Sequence, residues 1–178
     1  MIYADIRQEF DESLGYIHND IAWLCEHNSG LNYTVALLIG CACEALADGG
    51  GYPSKASALA ELLPDDEWKQ LAKPLFDALR NGLAHSFDTK HIQVNGERIQ
   101  IYIDWAMTTV IAIRKANGTD GLFIGARPLA ANVCAAINAF RAKLQGDPIA
   151  CQRFRDALER ERSVKCSSDL WGRLKLKA

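Results

Sequence analysis

The segment LFDALRNGLAHSFDTKHI, residues 75 to 92, puts an arginine, an asparagine and a histidine within six positions: Arg80, Asn81 and His85. Arginine is a permanent cation whose planar fork of donors fits a phosphate. Histidine, with a reference pKa of about 6.5, takes or gives a proton near neutral pH. Asparagine can bond an imidazole and fix its tautomer. Together the three suffice to cleave RNA without a metal. The imidazole removes the proton from a ribose 2′-OH, and the guanidinium stabilises charge building on the phosphate oxygens. The products are then a 2′,3′-cyclic phosphate and a 5′-OH, and DNA, lacking the 2′-OH, resists. The plainer reading of the same residues is a helix cap and a surface pair, which composition by itself favours.

Spacing constrains the chemistry. On a continuous α-helix Asn81 and His85 are four apart and share a face. Arg80 and His85 are five apart and diverge by about 140° around the axis. The long arginine stem, or a bent helix end near Gly82, brings the guanidinium back toward the groove that His85 borders. Gly82 costs about 1 kcal/mol relative to alanine inside a helix, which points to close backbone approach there.

The elements that must position these residues are mainly helical. Ile6, Phe10, Leu14, Ile17, Ile21 and Leu24 recur at helical spacing over residues 3 to 27, and the NSG at 28 to 30 stops that helix. Residues 31 to 47 predict a second helix, apolar nearly all round and therefore central. DGGGYPS at 48 to 54 reads as a flexible break, and it lacks the Lys-Ser/Thr of a phosphate loop. Ser54 caps a short helix that runs through Leu63 and stops at Pro64. DDEW at 65 to 68 starts another, and Pro74 opens a helix running to about Phe87.

Beyond it the period changes to two. HIQVNGERIQIYIDW alternates around Asn95-Gly96, a strong hairpin signal; residues 108 to 115 read as a third strand and LFIGA as a fourth. Residues 91 to 126 therefore predict an antiparallel meander, with 106 to 114 open to a helical alternative. Pro128 opens a helix striped by Leu129, Val133, Ile137, Phe140 and Leu144. Gly146 ends it, and Asp147-Pro148 starts another to about Arg162. The organisation is one mainly α domain over residues 1 to 162, a helical bundle with a small antiparallel β meander inserted before the C-terminal helices (α+β by content), then a basic tail from 163 to 178.

Charge is uneven. Residues 1 to 70 carry twelve acids and three bases, residues 71 to 152 nine bases and six acids, and residues 153 to 178 eight bases and four acids. A basic patch meeting a polyanion and a solvated C-terminal helix are both consistent with this. The six cysteines lack metal-finger spacing and read as reduced, small apolar residues, which with no signal-peptide pattern predicts a cytoplasmic chain. The longest apolar run, VALLIGCACEALA, contains Glu44 and is too short for a membrane span, so no membrane partner is expected. His18, His27 and His91 read as packing or surface residues, and no metal-ligand spacing such as H-E-x-x-H occurs. Arg127 sits at a strand-to-helix junction where it could meet an anion or simply solvate the turn. Trp68, Trp105 and Trp171 read as packing residues, and no exposed aromatic stripe for single-stranded RNA is evident.

LRNGLAH resembles the R-N-x-x-x-H signature of the HEPN family (higher eukaryote and prokaryote nucleotide-binding domains). GLAHSF is similar to the small-apolar-His-small pattern common after that family's Arg-Asn pair. The resemblance covers residues 1 to 87 and 128 to 162, with the sheet as a family-variable insertion. It implies a HEPN-like bundle, and a metal-independent endoribonuclease of toxin or phage-defence type that uses no cofactor. Arg80 and His85 are its implied catalytic residues, with Asn81 beside them as orienter. It implies RNA or nucleotide as ligand, a homodimer that brings two motifs together, and an antitoxin protein as a further partner. A two-fold axis near the motif would set Arg80 of one chain beside His85 of the other. The family often faces the motif with a polar residue on the second helix. Glu44 is the candidate here, because a charge in so apolar a helix needs a partner, best supplied by Arg80. The alternatives are a non-catalytic HEPN-like module binding nucleotide, RNA or a partner protein, and a purely structural helical protein.

Overall fold

The computed structural model describes residues 2–27, 32–82 and 91–162. The first helical stretch runs as α1 (Ile2–Phe10), a wider π-turn (Asp11–Gly15) and α2 (Tyr16–His27). Its apolar stripe, Ile6, Phe10, Leu14, Ile21 and Leu24, is buried as its spacing requires. The NSG stop signal lies outside the described residues.

Helix α3 (Asn32–Gly50) is the core element. Val35, Ile39, Ala42, Cys43 and Leu46 on it are all buried. It runs three residues past the expected end, through the Asp48-Gly49-Gly50 that read as a break. Packing explains this. A Cβ on Gly49 would stand 2.7 Å from Phe154 Cδ2, so glycine is what lets the two elements close. The turn comes at Gly51, whose φ of +79° suits glycine. The extension also makes α3 long and apolar enough to cross a membrane by length and composition, contrary to the expectation from the run itself; half of that stretch is buried inside the molecule.

Ser54 caps α4 (Lys55–Ala60) by accepting from Ser57 N at 3.1 Å, and Asp65 caps α5 (Asp66–Lys69). The chain then forms α6 (Ala72–Phe76) and, within the expected helix, widens into a π-turn (Asp77–Gly82). Residues 83 to 87 lie outside the described residues.

Strands β1 (Ile92–Val94), β2 (Glu97–Asp104), β3 (Ile111–Ala116) and β4 (Thr119–Gly125) form one sheet in the order β1-β2-β4-β3. The expected antiparallel meander is corrected: β2 and β4 pair in parallel, with Ile101 opposite Leu122, while the two outer pairs are antiparallel. Polarity sorts the strands. β4 carries Leu122 and Ile124, both buried, and takes an inner place; β3 carries Arg114 and Lys115, both exposed, and takes the edge. Residues 106 to 114 are not helical, and β4 begins at Thr119 because a two-residue Asn117-Gly118 turn suffices. Both Asn-Gly turns have positive φ at both positions (51° and 83°, 54° and 82°), as a tight hairpin requires.

Helices α7 (Ala126–Gly146) and α8 (Pro148–Arg162) complete the bundle, with Asp147 accepting from Ile149 N and Ala150 N at the α8 start. Phe10, Phe140 and Phe154 meet at ring-centroid distances of 5.7 to 6.4 Å and join α1, α7 and α8 beneath α3. The protein is thus mostly helical with a small mixed sheet. Asn32 donates to Ile103 O at 2.9 Å and ties the start of α3 to the sheet.

Candidate functional site: a shared carboxylate beneath Arg80

Arg80 stands in the π-turn Asp77–Gly82 and lies across α3. The sequence of α3 makes the seat. Gly40 and Glu44 are four apart on one helical face. At Gly40 a Cβ would come within 3.1 Å of Arg80 Cδ and 3.2 Å of its Cβ, so the absent side chain is where the arginine stem rests. One turn on, Glu44 meets the head: Arg80 Nε donates to Glu44 Oε2 at 3.0 Å. Close approach is made at Gly40, and the expectation at Gly82 lies outside what the structure describes.

The second oxygen of Glu44 is also taken. Lys55 Nζ donates to Oε1 at 3.0 Å. One carboxylate therefore serves two cations, and the cluster carries a net charge of +1. Glu44 and Arg80 retain 23% and 27% side-chain exposure and Lys55 44%, so the cluster opens to solvent. Burial raises the Glu44 carboxyl, but the hydrogen bonds and charges of Lys55 and Arg80 outweigh it and hold the group below its ordinary value. The bond to Glu44 raises Arg80 further, against a smaller opposing effect of burial.

Lys55 was not singled out from sequence. Its signal was indirect: the Ser54 cap places it at the first position of α4, across the glycine turn from the end of α3. Asn81 follows Arg80 in the same turn, but its side chain lies outside the described residues, as does His85. The π-turn also changes the geometry at the start of the motif, Arg80 to Gly82, and the rest of the motif lies outside the described residues. A π-turn closes i to i+5 rather than i to i+4, so rotation per residue is smaller over Asp77–Gly82 than the α-helical value behind the 140° divergence.

Comparison with family models, curated proteins and solved structures gave no match for this chain. The R-N-x-x-x-H resemblance rests on the motif residues alone.

The thiols nearby are poor nucleophiles. Burial raises Cys41, with Arg80 partly opposing, and pushes Cys43 up to about 12, reinforced by Glu44 and Cys41. A cleft of about 220 Å³ opens beside Glu44, with Ser13, Cys41 and Asp48 on its walls and Phe154 and Ala157 behind. Among the described residues no three His, Cys, Asp or Glu side chains group to hold a metal.

The other histidines have local partners. Arg98 Nε donates to His91 Nε2 at 2.9 Å, and His18 Nε2 lies 3.3 Å from Asn138 Nδ2. His27 stacks on Trp23 with ring centroids 5.0 Å apart. Trp68 and Trp105 pack partly against the core, and Trp171 lies outside the described residues. Tyr16 and Trp23 on α2, seven apart, are 61% and 57% exposed.

Proposed function

We propose that the protein is a metal-independent endoribonuclease of HEPN type, acting in a toxin or phage-defence setting. Arg80 stabilises the phosphate, His85 moves the proton, and Asn81 orients His85. The observation that carries this reading is the fixed position of Arg80. Glu44 holds it through Nε on the Gly40 platform, while Lys55 shares the same carboxylate and keeps the cluster cationic. An arginine fixed in advance and facing solvent suits the charge that develops on a phosphate in flight. In the reading, Glu44 and Lys55 position Arg80 and do not touch the reacting atoms. Two chains bring their motifs together about a two-fold axis, and an antitoxin protein would cover the same cationic surface.

The test is cleavage of a mixed RNA by purified protein in EDTA, with Arg80→Ala and His85→Ala in parallel. The expected outcome is cleavage by the parent, 2′,3′-cyclic phosphate ends, intact DNA, and loss in both variants. Folded parent protein that leaves all RNA intact would sink the enzyme reading. A second reading then takes its place, a non-catalytic module that binds RNA, a nucleotide or a partner protein. The Glu44 contact favours it to this extent: the pair already gives Arg80 a structural role within one chain.

A further inference from the structure

A second cleft, of about 650 Å³, lies between α2 and the start of α7, with the β2–β3 connection as its third wall. Its size is that of a small-molecule site. Ile21, Met107 and Ala130 give it an apolar floor, and all three are buried. Arg127 and Glu26 bring the charges, and Cys25 on α2 and Cys134 on α7 both line the cleft.

The wall carrying Trp105 is pinned. Ala106 N donates to Asp104 Oδ1 at 2.8 Å and Gly125 N to Val110 O at 2.9 Å. A side chain at Gly125 would collide with the Thr109 carbonyl and with Pro128, so the connection lies tight on the end of β4. Trp105 is thereby fixed, and the Arg127 guanidinium sits over its ring at 5.8 Å. An arginine stacked on an aromatic face loses little freedom when its donor edge meets an anion. A fixed cation above an apolar floor selects a ligand with an anionic head and an apolar body. Glu26 in the same cleft opposes a second negative charge.

We propose that this cleft binds a small apolar monocarboxylate, whose carboxylate is held by Arg127 and whose body lies on the floor beside Trp105. The site is separate from the Arg80 cluster and stands whether or not the chain cleaves RNA.

The two cleft cysteines supply the readout. The full chain is treated with N-ethylmaleimide, and labelling is followed residue by residue by mass spectrometry, with 3-phenylpropionate, its neutral amide or phenyl phosphate present. Cys41, outside the cleft and raised by burial as Cys25 and Cys134 also are, is the matched internal control. We expect 3-phenylpropionate to slow labelling of Cys25 and Cys134 but not of Cys41. The amide and phenyl phosphate should bind on the order of tenfold more weakly, since each loses the single charge match. Arg127→Gln should abolish protection and Arg127→Lys should keep part of it. Arg127 is exposed, so both variants should fold, which an unchanged circular dichroism spectrum checks. No protection by millimolar 3-phenylpropionate, equal protection by the amide or by phenyl phosphate, or full protection in Arg127→Gln would each overturn the proposal.

Discussion

Arg80 Nε donates to Glu44 Oε2 at 3.0 Å, a contact that joins residues 36 apart in sequence. It uses one of the five guanidinium donors. The arginine is anchored along its stem by Gly40 and at its head by Glu44. Removing Glu44 therefore acts on position and charge together. Glu44→Gln should lower stability by roughly 1 kcal/mol, the scale for a partly exposed ion pair, read as a shift of the urea midpoint. It should also loosen Arg80, so RNA cleavage should fall although the local positive charge rises. Cleavage at the parental rate would contradict a positioning role.

Lys55→Gln tests the other half of the cluster. Without Lys55, Glu44 and Arg80 form a neutral pair, and the net charge near the motif falls from +1 to zero. RNA affinity should drop, and the slope of log affinity against log salt should shrink by about one. Lys55→Arg should restore most of both. A salt slope unchanged in Lys55→Gln would mean that the RNA never senses this cation.

The same carboxylate sets a pH dependence. Because its folded value is lowered, folded protein binds fewer protons here than the unfolded chain, and stability rises with pH through that window. The contribution is fully present above the unfolded carboxylate value of about 4.3. It is lost as pH falls through the lower folded value. The stability gap between parent and Glu44→Gln should hold steady from neutral pH down to the ordinary carboxylate range, and close below it. A gap that widens on acidification would reverse the sign.

Gly49→Ala should be costly in a way helix propensity does not foretell. Alanine suits helices better than glycine by about 1 kcal/mol, yet the added methyl would sit 2.7 Å from the Phe154 ring. Overpacking of this kind costs about 1–3 kcal/mol, so the net change should be destabilising by calorimetric midpoint. Gly146→Ala, where nothing lies within 4 Å, is the matched control and should not show that loss.

The helices were legible where the chain carries caps and stripes. Ser54, Asp65 and Asp147 all cap helices where their side chains predict a start. Both hairpins follow from their Asn-Gly pairs. What failed to show was long-range. Gly49 and Gly50 look like a break until Phe154 and Phe140 are set against the first and Tyr52 and Phe140 against the second. Pairing of β2 with β4 depends on which strand is apolar enough for the interior, a comparison no single window makes. The π-turn at Asp77–Gly82 has no local signature in its residue types. For the candidate site, the Glu44–Arg80 pairing was legible because a charge within the apolar body of α3 needed a partner. Lys55 was not, because it arrives from a separate short helix.

The parallel join of β2 to β4 has a kinetic consequence. Each Asn-Gly hairpin closes from neighbouring residues, on a scale of about 1–10 μs. Linking the two hairpins requires Ile101 to find Leu122 across the intervening β3, a slower closure of higher contact order. Until then the apolar flank of β4 is an unpaired edge on which a second chain could grow. Arg114 and Lys115 guard the opposite flank of that hairpin, so nascent chains are protected from one side while they wait for the other.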